Sequence, residues 1–108
     1  MAFTFKNNTD TGQAKSRFEL QEEGDKAFIE YVYSKKHNRV YILHTEVPDS
    51  FPNPAKASVV LIENSLNLIK EQGQTIAPFC PLVQRYLKKH PEYLEIVDEE
   101  YKYLLEED

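Results

Sequence analysis

Residues 39–73 read RVYILHTEVPDSFPNPAKASVVLIENSLNLIKEQG, and within them the hydrophobic period changes from that of a strand to that of a helix. Arg39–Val47 alternates: Tyr41, Leu43, Thr45 and Val47 fall on one face, Val40, Ile42, His44 and Glu46 on the other. Pro48 and Pro52 end the strand, since proline has no N–H to give to a ladder. Asn53-Pro54 then reads as a helix start, with Asn as N-cap and Pro as the first helical residue. Val59, Ile62, Leu66 and Ile69 recur at helical spacing, Glu63, Asn67 and Lys70 fill the opposite face, and Gly73 stops the helix.

Upstream, the strand pattern repeats. Ser16–Gln21 places Phe18 and Leu20 on one face, and Glu22-Glu23-Gly24-Asp25 reads as a turn. Lys26–Ser34 sets Ala27, Ile29, Tyr31 and Tyr33 against Phe28 and Val32, so large side chains on both faces predict a strand covered on both sides. Lys35-Lys36-His37-Asn38 is a polar hairpin turn whose charge reads as solvated. Phe3 and Phe5 suggest a short edge strand in an otherwise polar N-terminal stretch. Downstream, Thr75–Pro78 reads as a short buried strand. Pro81–His90 is a second helix with Leu82, Val83, Tyr86 and Leu87 apolar, ended by Pro91. Asp98-Glu99-Glu100 resembles one more helix start, acids placed favourably against the dipole. The expected fold is α+β (mixed α/β): an antiparallel strand meander followed by helix, strand, helix.

Composition bounds the function. A chain of 108 residues, 41% apolar and 29% charged, suits one soluble domain. Its single cysteine, Cys80, rules out an intramolecular disulfide and a Cys-rich zinc site, and no metal site is expected. The longest aliphatic run, Val59–Ile62, is too short for a bilayer, and MAFTFKNNTD has no secretion-signal pattern, so the expected address is cytoplasmic. The formal charge of −5 is unevenly placed: residues 92–108 hold eight acids and one base, leaving a slightly basic body. That balance argues against a nucleic-acid binder, while the body suits a phosphorylated small molecule. The acidic tail reads as a solvated segment.

Three places hold candidate chemistry. His44, closing the third strand, reads either as a general base near neutral pH or as a hydrogen-bonded structural histidine. Residues 53–58 open the long helix, where free N–H groups and the dipole attract phosphate, helped by Lys56 and the Ser58 hydroxyl. Cys80, just before Pro81, stands at a helix N-cap where the dipole favours a nucleophilic thiolate; the other reading is a buried inert cysteine. Tyr86 reads as core residue or proton donor. His90, at the end of the second helix, reads as a capping and packing residue.

The segment His44-Thr45-Glu46-Val47-Pro48, the helix through Leu61, Leu66 and Gly73, and Pro78-Phe79-Cys80-Pro81-Leu82-Val83 with Tyr86 and His90-Pro91-Glu92-Tyr93 together resemble a known family. They are similar to the small single-domain N-acetyltransferase-like proteins of the GNAT superfamily, in its YjdJ-like branch. The resemblance runs from about Phe18 to Val97. It implies one acyltransferase domain over residues 1–97, with 98–108 as an acidic extension. It implies acetyl-CoA as cofactor, its pantetheine arm along Thr45, Glu46 and Val47 and its pyrophosphate on Asn53, Ala55, Lys56, Ala57 and Ser58. It also implies catalytic roles for Cys80, His44 and Tyr86. In one route His44 helps deprotonate Cys80, which takes the acetyl group as a thioester; in the other an amine attacks directly and Tyr86 or Cys80 protonates the leaving thiolate. The acceptor is an unidentified amine; no nucleic-acid or membrane partner is expected, and the oligomeric state is left open. The family's glycine-rich pyrophosphate loop is missing: Pro54, Lys56 and Ser58 stand where glycines belong. That departure supports an alternative, a non-catalytic ligand- or protein-binding module on the same fold.

Overall fold

A computed structural model describes residues 3–9, 11, 12 and 14–106. The elements are β1 (Thr4–Asn8), β2 (Ser16–Glu22), β3 (Asp25–Ser34), β4 (Arg39–Glu46), α1 (Pro54–Glu71), β5 (Thr75–Pro78) and α2 (Pro81–Lys89), followed by two 3-10 segments, Pro91–Ile96 and Glu99–Leu105. The five strands form one sheet in sequence order, antiparallel from β1 to β4, with β5 parallel to β4. Parallel neighbours need a long crossover, and α1 supplies it.

Local chemistry explains the boundaries. The β2–β3 turn puts Glu23 and Gly24 at positive φ, the pair of left-handed residues that a two-residue hairpin demands. Asn53 caps α1, its side chain accepting from the Lys56 N–H at 3.2 Å, and Pro54 opens the first turn. At the other end Gly73, at φ +69, lets its own N–H reach Lys70 and the Gln74 N–H reach Ile69, which closes the helix.

One face of the sheet carries the core. Phe18, Leu20, Ala27, Ile29, Val40 and Ile42 meet Leu61, Ile62, Leu66 and Ile69 of α1 and Val83 and Leu87 of α2, all buried. The expected α1 stripe is offset: Ala57, Leu61 and Ser65 are inside, whereas Val59 is 45% exposed. The other face is largely open. Val32 is exposed and Phe28 only half-buried, so β3 is not covered on both sides as its pattern predicts. Phe28 is instead shielded by Arg17, whose guanidinium lies 4.0 Å from its ring centre and pairs with Glu30 at 3.2 Å.

The acidic C-terminal stretch is not simply solvated. Val97 forms a parallel bridge with Ile76, and the Asp98 N–H bonds the Ile76 carbonyl at 3.0 Å. Asp98 receives two hydrogen bonds from the buried Arg39 guanidinium and one from Thr75. Tyr101 packs edge-on against Tyr41 and Phe79. The expected helix start at Asp98 is a 3-10 start: its side chain accepts from the Glu100 N–H. Glu107 and Asp108 lie outside the described residues.

Candidate functional site

The two parallel strands part company before β4 ends. Pairing with β5 runs from Arg39↔Thr75 to Ile42↔Pro78, and the Phe79 N–H closes on the Ile42 carbonyl at 2.9 Å. Leu43 to Glu46 continue beside β3 alone, leaving their other edge without a strand. Both helices begin at this end, α1 after β4 and α2 after β5. A crevice beyond the carboxyl ends of parallel strands is where open α/β sheets place ligands.

A bulge decides which side chains enter the crevice. Tyr31 pairs with Ile42 but Glu30 pairs with His44, so Leu43 is one residue too many. Directly opposed residues share a face. After the bulge, Thr45, opposite Ile29, joins the helix-covered face, while His44, opposite Glu30, turns to the open one. Strict alternation puts His44 with Val40 and Ile42; the extra residue reverses that assignment.

Thr45 thereby meets Cys80. Its Oγ1 lies 3.3 Å from Cys80 Sγ, and the thiol is only 4% exposed. Cys80 is the N-cap residue of α2, in extended conformation, and its side chain makes no capping bond. Gln84 closes the turn, donating from its side chain to the Pro78 carbonyl at 2.8 Å. The thiol is thus held toward β4, beside the first turn of α2.

His44 is not brought to Cys80. It is exposed on the open face, edge-on to Phe28 at 6.4 Å between centroids, with the whole strand between it and the thiol. In this geometry His44 makes no contact with Cys80 that would carry the expected deprotonation. Glu46 shares the exposed face, opposite Phe28, while Val47 packs partly into the core.

The start of α1 is largely self-satisfied. Pro54 has no N–H, the Lys56 N–H is bound to Asn53 Oδ1, and the Ala57 N–H is bound to the Asn53 carbonyl at 3.0 Å. Ser58 Oγ donates to the Ala55 carbonyl at 2.8 Å. Ala57 is fully buried and presents nothing outward, which removes it from the expected phosphate cradle. Ala55 and Lys56 remain exposed.

Between α1 and α2 runs a groove of about 220 Å³ lined by Ser58, Val59 and Ile62 on one side and Leu82, Arg85, Tyr86, Lys89 and His90 on the other. Tyr86 is 8% exposed, stacks on His90 at 4.1 Å and points its hydroxyl at Glu63 Oε2, 3.4 Å away. Burial, and then the negative charge of Glu63, push the Tyr86 phenol up to about 12. It keeps its proton across the physiological range. Arg85 and Lys89 were not singled out by sequence reasoning. Their signal is a four-residue spacing that parallels that of Tyr86 and His90 on the same short helix.

The family model of the GCN5-related N-acetyl-transferases matches residues 17–96. The chain belongs to that family. No curated protein matches it. The matched span runs from β2 through the first 3-10 segment, and so takes in the crevice beside β4, the α1–α2 groove and Cys80. Among the described residues no helix is long and apolar enough to cross a membrane, and no cluster of His, Cys, Asp and Glu has the makings of a metal site.

Proposed function

We propose that the chain is an acetyl-CoA-dependent N-acetyltransferase acting on an amine, with Cys80 as its nucleophile. The observation that carries this reading is the Thr45–Cys80 contact at the point where β4 and β5 separate, in a chain of this family. The YjdJ-like branch and a domain over residues 1–97 with a 98–108 extension belong to the same proposal.

The residues fit the cofactor with one relocation. The unpaired edge of β4 at Thr45 and Glu46, with Val47 just beyond it, offers main-chain groups to the amides of a pantetheine arm. Phosphates find few free N–H groups at Asn53, Ala55, Lys56 and Ser58. In our reading Arg85 and Lys89, facing Ser58 across the groove, carry that load through side-chain charge. When bound, acetyl-CoA supplies an activated acetyl group to a nucleophile, with release of the CoA thiol.

On the protein side each residue then has one task. Thr45 Oγ1 orients Cys80 Sγ, and the N-terminal end of α2 favours negative charge there. Tyr86 holds a proton available for donation. The amine must reach the acetyl group on the Cys80 side of β4, so His44 and Glu46, exposed on the opposite face, take no part and the amine's proton leaves to solvent.

Thermal shift or calorimetry with acetyl-CoA and free CoA tests the cofactor. Intact-mass analysis after incubation should reveal one added acetyl group that Cys80→Ala abolishes. An unmodified wild-type chain that nonetheless binds acetyl-CoA would leave direct attack by the amine as the route. The absence of binding at millimolar cofactor would favour the second reading, a non-catalytic ligand- or protein-binding relative. The closed first turn of α1 is the observation on that side.

A further inference from the structure

At the opposite end of β4 lies a second cavity that the proposed reaction does not use. It measures about 340 Å³ and is bounded by Asn7, Ser16, Tyr31 and Val40 of the sheet and by Gln72 and Gln74 at the end of α1. That volume is within the usual range for small-molecule sites. Val40 precedes Thr45 by five residues along the strand, so the cavity is roughly 15 Å from the thiol.

The lining is unusual for its place. These residues sit on the helix-covered face, which elsewhere is built from Phe18, Leu20, Ala27, Ile29 and Ile42. Here it carries carboxamides and hydroxyls, because α1 ends at Glu71 and does not cover the corner. The Tyr31 hydroxyl donates to Asn7 Oδ1, which leaves the Asn7 amide protons unclaimed by that bond. Among the described residues, the Gln72 and Gln74 side chains have no hydrogen-bond partner. No Asp, Glu, Lys, Arg or His is among the described residues of the lining.

We propose that this cavity binds an uncharged nucleoside through its base. No charged side chain of the lining offers an ionic ligand a counter-charge. A carboxamide presents a donor beside an acceptor, and that pair matches the edge of a base in a bidentate manner. Asn7, Gln72 and Gln74 place three such groups around one cavity, and the half-exposed Tyr33 ring at its rim gives the base a flat surface. The site is independent of the acetyltransferase reading.

The test is a titration of the full chain with adenosine, guanosine, cytidine and uridine in turn, followed by NMR of the side-chain amides, with ribose and glucose as controls. At least one nucleoside should saturate and shift the Gln74 and Gln72 amide signals. Gln74→Leu should weaken it about tenfold, and Gln72→Ala by a smaller factor, while Arg85→Ala leaves it unchanged. Arg85→Ala separates this cavity from the α1–α2 groove. The proposal is overturned if no nucleoside saturates, if ribose or glucose binds as well, or if Gln74→Leu and Gln72→Ala both bind like wild type.

Discussion

The two halves of β4 follow different rules. Arg39–Ile42 is hydrogen-bonded on both edges, with Val40 and Ile42 sealed into the core and Arg39 clamped by Asp98. Leu43–Glu46 is bonded on one edge only, and each of its side chains faces the way it does because Leu43 is extra. The first half contributes stability. The second presents Thr45 to the thiol and His44 to the open face, and its unpaired edge is what a ligand with amide groups would use. One inserted residue thus separates a structural segment from a chemical one within a single strand.

Exchanging the two side chains after the bulge is the severest way to break that contrast. His44→Thr together with Thr45→His puts an imidazole on the helix-covered face opposite Ile29 and a threonine outside. A histidine forced beside Ile29 without its hydrogen-bond partners is costly. The exchange should destabilise the chain far more than His44→Ala and abolish labelling of Cys80 by acetyl-CoA. Urea denaturation and intact mass are the checks; a stable variant that still labels Cys80 would show that the assignment of faces is incidental.

Point substitutions sharpen the same contrast. Ile42→Ala, in the half sealed on both sides, should cost about 2–5 kcal/mol by removing buried methyl groups and leaving a cavity. His44→Ala, two residues on, should change stability by less than about 0.5 kcal/mol, since the side chain is exposed. Paired urea melts test the difference, and equal losses would remove the distinction between the halves. In turnover, Tyr86→Phe should lower kcat by roughly 10²–10⁴-fold if the phenol is the proton donor. Because Tyr86 titrates at about 12, the wild-type rate should not fall on the alkaline side from its ionisation below that value.

The fold was legible because it rests on periodicity and punctuation. Asn53-Pro54, Gly73, Pro81 and the Glu23-Gly24 turn each state their local geometry through cap chemistry or a φ that few residues adopt. Cys80 and Tyr86 were legible as candidates for the same reason, one standing at a helix cap and the other on an apolar face. The bulge was not, because Leu43 is an ordinary strand former and carries no mark of being unpaired. Every side-chain direction after it was therefore read backwards. The openness of the second sheet face was equally hidden: apolar Phe28 and Val32 suggest a covering layer, and only the fold reveals Arg17 lying over Phe28 instead. The proposed phosphate side of the site was half legible. Missing glycines are visible in sequence, but Arg85 and Lys89, the cations proposed in their place, come into view only when α1 and α2 face each other.

A further expected effect concerns the clamp on the sealed half. Asp98 is held below its ordinary value of 3.8, first by the Glu100 N–H and then, against the cost of burial, by Arg39 and Thr75. A carboxylate whose folded value is depressed adds stability that is present above its unfolded value and is lost as pH falls toward and below the folded one. Asp98→Asn should therefore lower the thermal midpoint at neutral pH, and the gap from wild type should close as the pH drops below about 3.8, where the wild-type carboxyl also takes up its proton. Because the clamp lies on Arg39–Ile42 and not on Leu43–Glu46, Cys80 alkylation rates should be unchanged in the folded variant. A gap that persists at low pH would mean that the Asp98 side chain acts through shape or neutral hydrogen bonding, not through its charge. A change in Cys80 reactivity would mean that the two halves of β4 are coupled after all.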